Sequence, residues 1–308
     1  MMISGLTSKQ RVLRNYSFQP VDRFTIDWCA CSEVYTRLKA HYAVVSDLEL
    51  IDKLHVDFRY PKPTWIGPAL IDERSRLTDY FRIPRAVVGD FGYALEHPLA
   101  YVTTIAEVEA YPWPTAEMWD FEGYAHACAD FPEHAVSGGA WGWFFEAGCE
   151  LVGMQRWFTL LYDNPAIGTA ILDKIIDFME GTSEIMFQKA DKYIDICFTG
   201  DDYGFQNGPM LSTEMFNRFI RPYLERLYNV GKKYGKPVMH HSCGSVAHLI
   251  STFLEMGLDI LEPIQVGARD MDVRALAQKY GSKLCSRFLN LTVVLLFPHH
   301  NICYRKYR

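Results

Sequence analysis

The sequence of 308 residues lacks the features that identify several classes of protein. It has no run of about 18 apolar residues, which a transmembrane helix needs, and its first residues lack the apolar segment of a secretory signal. No basic stripe with interleaved aromatic residues occurs in the body of the chain, and the net charge of −6 argues against a nucleic-acid-binding protein. Internal repeats and low-complexity segments are also missing. These absences predict a globular, cytoplasmic protein that binds neither membranes nor nucleic acids.

Cysteine occurs eight times but never densely, so the chain lacks the disulfide framework of a small secreted protein. We therefore expect reduced thiols. Cys29 and Cys31 form a C-x-C at the end of a short β-rich run, RFTIDW, which is predicted as the first strand. A structural position at a strand end is favoured over redox activity for this pair.

Hydrophobic residues make up 49% of the chain, which is enough for a large core. In the second half, strand-like runs alternate with helical patterns of about 10 to 20 residues, which predicts βαβ units and a parallel sheet. Polar residues follow three successive strands: Asp201 and Asp202, then His241 and Cys243, then Glu262 and Gln265. A (β/α)8 barrel carries its active site at that edge, so this fold class is predicted. A doubly wound fold would need a glycine-rich loop after the first strand, and the sequence has none there.

The stretch KPVMHHSCG ends its predicted strand with His241 and Cys243. Residues i and i+2 of an extended strand point to the same side, so both side chains can face one metal ion. Imidazole and thiolate are the usual ligands of zinc, and Gly244 permits a tight turn after them. The alternative is a strand-end cysteine packed in the core beside a solvated histidine. His240 alternates to the opposite face of the strand.

Acidic and aromatic residues near the same edge form further candidates. Asp201 and Asp202 can act as a general base, hold a cation or raise each other's pKa, although an acidic loop that caps a helix has the same pattern. Glu262 follows a run of apolar residues, where an acid needs a partner or a metal. The stretch GGAWGWFFE suits a pocket wall and core packing equally well.

Several segments between about Ser8 and Cys285 resemble the uroporphyrinogen decarboxylase superfamily. They include DDYGFQNGPMLSTEMFNRFIRPYL and KPVMHHSCGSVAHLISTFLEMGLDILEPIQ, in which an HSCG box precedes GLDILEPIQ. The resemblance implies a (β/α)8 barrel and one of two chemistries. The first is cofactor-free decarboxylation of the acetate arms of uroporphyrinogen III in haem synthesis. The second is methyl transfer between corrinoid proteins and thiols, in which zinc held by an H-x-C box and a later cysteine activates the thiol.

Departures from the family pattern favour methyl transfer. The decarboxylases carry an RQAGRY-type loop near the N-terminus whose arginines bind substrate carboxylates, whereas the equivalent stretch here is DWCACSEVYTRL. The H-x-C-G box of the methyltransferase branch is present at residues 241–244. The leading expectation is therefore zinc-dependent methyl transfer. The alternatives are a uroporphyrinogen decarboxylase, and a truncated remnant that binds a tetrapyrrole or corrinoid without turnover.

The resemblance also implies a role for each candidate residue. His241 and Cys243 are the implied zinc ligands. Asp202 and Glu262 are the implied catalytic groups, beside the ligands or the substrate. The expected partner is a corrinoid protein or a small-molecule tetrapyrrole. Its implied contacts are Asp201, Tyr203, Gln206 and Gln265.

The C-terminal residues do not fit this pattern. Residues 286–308 contain four Lys or Arg and no Asp or Glu, which predicts a frameshifted or truncated end. We expect a barrel domain over residues 1–285 and an atypical tail over 286–308. The barrel would lack about one and a half βα units, and its exposed edge strands would reduce stability and solubility. The third zinc-binding cysteine of the methyltransferases would then be lost, and Cys285 or Cys303 could replace it only by accident of geometry.

Overall fold

The structure is a computed structural model that describes residues 5–281 and 283–288. The helices of this part are α1 (Ser8–Tyr16), α2 (Ser32–Tyr42), α3 (Asp47–Lys53), α4 (Ile105–Glu109), α5 (Phe121–Ala129), α6 (Phe144–Val152), α7 (Met154–Asp163), α8 (Pro165–Ala190), α9 (Thr213–Phe219), α10 (Arg221–Lys233), α11 (Ile250–Met256) and α12 (Val273–Tyr280). The strands are β1 (Phe58–Arg59), β2 (Thr64–Trp65), β3 (Arg85–Val88), β4 (Phe91–Ala94), β5 (Trp119–Asp120), β6 (Ala135–Gly138), β7 (Ile196–Gly200), β8 (Gly204–Phe205), β9 (Gly208–Pro209), β10 (Val238–His241), β11 (Ile260–Ile264) and β12 (Cys285–Phe288).

Six strands form one sheet in the order β1-β6-β7-β10-β11-β12, and every neighbouring pair is parallel. The order along the sheet is also the order along the chain, so each new strand is added at the same edge. A doubly wound sheet would instead reverse its direction at a switch point. The described residues therefore form an α/β fold whose parallel sheet curls into a half-barrel.

The region between β1 and β6 adds a small layer beside this sheet. It contains the antiparallel hairpin of β3 and β4 and the antiparallel pair of β2 and β5. Prolines such as Pro61, Pro63 and Pro84 interrupt this region and predict long loops with a small hairpin layer, and the structure contains both. This layer carries Arg85, which is important for the site below.

The core lies between the sheet and the long helix α8. This helix begins with Pro165 after Asn164, as predicted, and its buried residues recur at three- and four-residue spacings along its length. Those from Ile167 to Met179 share one apolar cluster with the buried rings of Phe81, Phe145 and Trp157. Among the described helices, none combines the length and the apolar character that crossing a bilayer requires.

The structure corrects three sequence predictions of secondary structure. RFTIDW forms no strand: within residues 24–30 the chain is irregular, and the carbonyl of Ile26 accepts a hydrogen bond from the amide of Asp57 at 2.7 Å. The capping signal at Ser212 predicts one helix over residues 212–235, but the structure divides it into α9 and α10 at Ile220, because Pro222 follows and lacks an amide hydrogen. The stretch VAHLISTFLEMG predicts a helix from Val246, but α11 begins four residues later, at Ile250.

Ion pairs fill the amino edge of the sheet. Asp57, which precedes β1, is fully buried and accepts hydrogen bonds from Arg11 at 2.7 Å and from Arg23 at 2.7 and 2.8 Å. Its carboxylate also accepts from the amide of Ile26 at 2.7 Å. Arg11 donates two further hydrogen bonds to Asp22 and thereby lowers the pKa of that carboxyl. Every charge in this cluster has a partner of opposite sign.

The predicted tail lies almost entirely outside the described residues. Residues 289–308, which include Cys303, are not described, and the expectation of an atypical end stays a prediction there. Cys285 opens β12 and pairs with Ile260, towards the amino end of the strand. It packs in the apolar cluster that contains Met239, below the level of His241. It is therefore not close to the strand ends that carry the candidate ligands.

Candidate metal centre

Strand register brings the candidate residues together at the carboxyl edge of the sheet. His241 is the last residue of β10; it pairs with Gly200 of β7 on one side and with Glu262 of β11 on the other. Asp202 follows two residues after the end of β7. Because parallel strands end at one edge, the side chains that follow them converge. The structure thus brings together Asp202, His241 and Glu262, as the sequence predicted.

Asp202, His241 and Cys243 form a half-buried triad whose potential ligand atoms all lie within 4.8 Å of one another. The Nε2 atom of His241 is 3.4 Å from Sγ of Cys243 and 3.7 Å from Oδ1 of Asp202. Imidazole, thiolate and carboxylate all bind zinc, and catalytic zinc sites keep three protein ligands and one open position. The donor set of the triad therefore fits a metal ion. Asp202 is the third potential ligand of the triad, whereas the family resemblance implied a cysteine in that role.

Glu262 orients the imidazole of the triad. Its Oε2 atom is 2.6 Å from Nδ1 of His241. When the Nδ1 hydrogen is donated to this carboxylate, the lone pair of Nε2 faces Cys243 and Asp202, which is the arrangement of a metal-binding histidine. Burial lowers the pKa of His241, but hydrogen bonds to Cys243 and Glu262, and the charges of both, outweigh burial and raise this pKa to about 11. The surroundings of Nε2 thus strongly favour a positive charge.

The loop after β10 is fixed by side chains from the neighbouring strands. The amide of Cys243 donates to Oδ1 of Asp202 at 2.7 Å, and the amide of Gly244 donates to Oε1 of Gln265 at 2.6 Å. Gly244 has φ +82°, and a Cβ atom there would collide with the carbonyl oxygen of Gly204. Glycine is therefore required directly after Cys243, as the sequence suggested.

A cavity of about 310 Å³ adjoins the triad. It is lined by Arg85, Gly92, Trp141, Trp143, Glu146 and Glu150. The Trp141 ring lies 5.5 Å from the His241 ring, so one wall of the cavity touches the triad. Burial, followed by the charges of Glu150 and Asp202, raises the pKa of Glu146. The stretch GGAWGWFFE thus contributes to a pocket wall and, through its phenylalanines, to the core.

Two predicted cofactor contacts are buried in the core instead. Asp201 is 2% exposed, and its carboxylate accepts hydrogen bonds from the amides of Phe145 at 2.6 Å and Glu146 at 3.3 Å, which caps α6. Burial raises the pKa of Asp201 well above its ordinary value. Tyr203 is fully buried, and its ring stacks on His240 at 5.7 Å. These positions do not support contact with a bound cofactor, because both side chains are enclosed by protein.

The other predicted contacts lie nearer the surface. Gln206 is exposed in the turn between β8 and β9, and Gln265 supports the loop at Gly244. His240 is fully buried on the face of β10 opposite to His241, as the alternation predicted, and packs against Phe253 of α11. Burial lowers the pKa of His240 to about 3, so it is neutral.

Sequence reasoning missed several residues of this region. Glu146 follows directly after the aromatic residues of the glycine-rich stretch, and Glu150 lies one turn further along α6. The i, i+4 spacing, which places both acids on one face of the helix, was the available signal. Cys29 is also close to the site. Partial desolvation of the thiol raises the pKa of Cys29, as does the charge of Glu262, while the charges of Lys62 and His241 lower it. The thiol of Cys29 therefore lies within electrostatic reach of the triad. The structural role predicted for the C-x-C stays a prediction.

Comparison with known families identifies the group of proteins to which the chain belongs. Residues 129–285 match the family model of uroporphyrinogen decarboxylase (URO-D), and the match spans half of the chain and includes the whole triad. The chain belongs to the URO-D family. The resemblance noted for the HSCG box is thereby confirmed.

A solved structure extends the similarity of this URO-D family member beyond the matched span. A methyltransferase from Methanosarcina mazei has a similar fold, with a TM-score of 0.63 over 92% of this chain and 82% of that chain. The sequences are 14% identical, so this likeness concerns the fold alone. No curated protein matches the chain in sequence.

Proposed function

We propose that this URO-D family member is a zinc-dependent methyltransferase, with a corrinoid protein as the methyl donor and a thiol as the acceptor. The observation that carries the proposal is the triad of Asp202, His241 and Cys243, whose imidazole is oriented by Glu262 at 2.6 Å. Such a carboxylate–histidine pair accompanies metal ligation in many proteins. The fold similarity to a methyltransferase agrees with the proposal. The half-barrel would be part of a (β/α)8 barrel, as is usual in this family.

Each residue of the site has a separate task in this proposal. His241 and Cys243 would bind zinc through Nε2 and Sγ, and Asp202 would supply a carboxylate oxygen. Glu262 would hold the proton on Nδ1 and so keep Nε2 free. Gln265 would hold the loop that carries the cysteine. When bound, zinc would lower the pKa of an acceptor thiol at the open position and so provide a thiolate.

The metal assignment is tested by zinc content and by cobalt substitution. We expect about one zinc per chain, lost in Cys243→Ser, and a cobalt(II) derivative with a thiolate charge-transfer band that the same variant lacks. Glu262→Gln should weaken zinc affinity about 10- to 100-fold, because it removes the carboxylate that orients His241. Cys31→Ser is the matched control: Cys31 is the N-cap residue of α2, where serine is favourable, so zinc content should not change.

Two outcomes would contradict the metal assignment. One is a folded protein without zinc affinity, and the other is a Cys243→Ser variant that retains both zinc and the cobalt band. Activity is then measured with methylcobalamin as the model donor and the neutral thiol 2-mercaptoethanol as the model acceptor. Turnover of uroporphyrinogen III by the metal-free protein would favour the decarboxylase instead.

A further inference from the structure

The cavity beside the triad has two aromatic walls in fixed positions. The Trp141 ring packs edge-on against Phe198 at 4.9 Å and next to His241 at 5.5 Å, yet Trp141 remains 47% exposed. The Trp143 indole donates a hydrogen bond from Nε1 to the hydroxyl of Tyr80 at 2.8 Å. Both rings are therefore held by the protein while they line an open cavity.

The backbone of this wall is equally constrained. Gly142 lies between the two tryptophans with φ +77°, and a Cβ atom there would collide with Oγ1 of Thr199. The carbonyl of Trp141 accepts hydrogen bonds from Thr199 and from the amide of Gly200 at the end of β7. The aromatic wall is thus attached to the strand that leads to Asp202.

The charges around the cavity sum to a negative value. Arg85 is its one lining cation among the described residues, and it donates hydrogen bonds to both Asp79 and Glu150, so two carboxylates neutralise it. Glu146 is the second carboxylate of the lining, beside Glu150, and it forms no ion pair with any residue that the structure describes. The lining therefore holds one positive and two negative groups, an excess of one negative charge.

We propose that this cavity binds a methylated ammonium group, held between Trp141 and Trp143 and beside Glu146. Aromatic faces attract cations, tryptophan most strongly, and quaternary ammonium groups are recognised by aromatic cages with an acidic neighbour. The volume of about 310 Å³ lies at the lower end of the roughly 300–1,000 Å³ range of ligand pockets. An anion would meet the excess negative charge, because Arg85 is already engaged by two carboxylates.

The contact between Trp141 and His241 connects this site to the proposed chemistry. A ligand in the cavity lies next to the triad, so the thiol that accepts the methyl group carries a methylated ammonium group elsewhere in its structure. This assignment to a substrate rests on the proposed function. The binding itself does not, because none of the three metal-ligand candidates lines the cavity.

The test measures choline binding by calorimetry on the metal-free, full-length protein. Its neutral counterpart, 3,3-dimethylbutan-1-ol, has the same shape without the charge, and ethanesulfonate serves as the anion. We expect choline to bind at least about tenfold more tightly than the neutral alcohol. Glu146→Gln and Trp141→Leu should each weaken choline binding about tenfold, and Trp141→Phe should retain most of it.

A control variant and a second background separate the possible outcomes. Glu122→Gln removes an exposed acid that pairs with Lys189 far from the cavity, and should leave choline affinity unchanged. Equal affinity for choline and the neutral alcohol, preferential binding of ethanesulfonate, or no choline binding by a folded protein would overturn the proposal. If the parent protein and Cys243→Ser both bind choline but the parent does not bind zinc, the proposed methyl transfer is refuted. The proposed cation site would then still stand.

Discussion

Buried carboxylates have different partners at the two edges of the parallel sheet. At the amino edge, Asp57 is surrounded by Arg11, Arg23 and a backbone amide, so its charge is fully compensated. At the carboxyl edge, Asp201 is also buried, but its carboxylate accepts hydrogen bonds from two amides of α6 and has no cationic partner among the described residues. At the amino edge arginines compensate the buried carboxylate, whereas at the carboxyl edge burial raises the pKa of the Asp201 carboxyl instead. Stability and function are separated along the strands in this way in (β/α)8 barrels.

The largest effect is expected from a change at the amino edge. Asp57→Asn would leave two guanidinium groups facing a neutral side chain, and removing one partner of a buried ion pair costs about 3–5 kcal/mol. We expect this loss in urea unfolding followed by circular dichroism, with zinc content per folded chain unchanged. If the variant does not fold, Arg23→Met tests the same cluster more gently, because the Arg23 side chain is 34% exposed. A loss below about 1 kcal/mol in both variants would contradict the comparison.

A smaller effect is expected from a neutral hydrogen bond at the carboxyl edge. Ser242 is fully buried, and its hydroxyl accepts a hydrogen bond from the amide of Tyr203 at 3.1 Å. Ser242→Ala would leave that amide without a partner and cost about 1–2 kcal/mol in the same unfolding measurement. A loss as large as that of Asp57→Asn would mean that both edges contribute equally to stability.

Asp201→Asn is expected to have the smallest effect on stability at acidic pH. Its effect should change with pH. Burial raises the folded-state pKa of Asp201 above its unfolded value of about 3.9, so its stabilising contribution is complete below that pH and is lost as the pH rises through the folded pKa. The variant lacks this titration. Its melting temperature should equal that of the parent near pH 4 and rise relative to the parent at higher pH, measured on metal-free protein. A constant difference across pH would refute this account.

Local patterns predicted the strands of the second half well, because buried parallel strands are short apolar runs between helices. His241 and Cys243 could be predicted as neighbours from their i, i+2 spacing alone. Asp202 was recognised as a candidate, but its place in the triad depends on the pairing of His241 with Gly200, and strand register is not readable from one sequence. The cavity depends on Arg85 and Glu150, which are 65 residues apart in the chain.

The prediction for RFTIDW failed for a different physical reason. Its β-branched and aromatic residues favour a strand, but the charged cluster around Asp57 determines the local backbone instead. The amide of Ile26 donates to the Asp57 carboxylate, so a side chain takes the place of a strand partner. Propensity could not reveal this, because the competing bond comes from a residue 31 positions away.

The backbone of segment 139–146 is held by hydrogen bonds of its own carbonyl and amide groups. Thr199, Gly200 and Asp201 bind its carbonyl and amide groups, and the lack of a side chain at Gly142 allows the close approach. The side chains at 141, 143 and 146 can therefore change without moving the backbone that carries them. If the proposed function holds, natural variation at these three positions would alter which ligand the cavity accepts and leave the candidate metal ligands unchanged, so ligand range and metal binding could diverge independently.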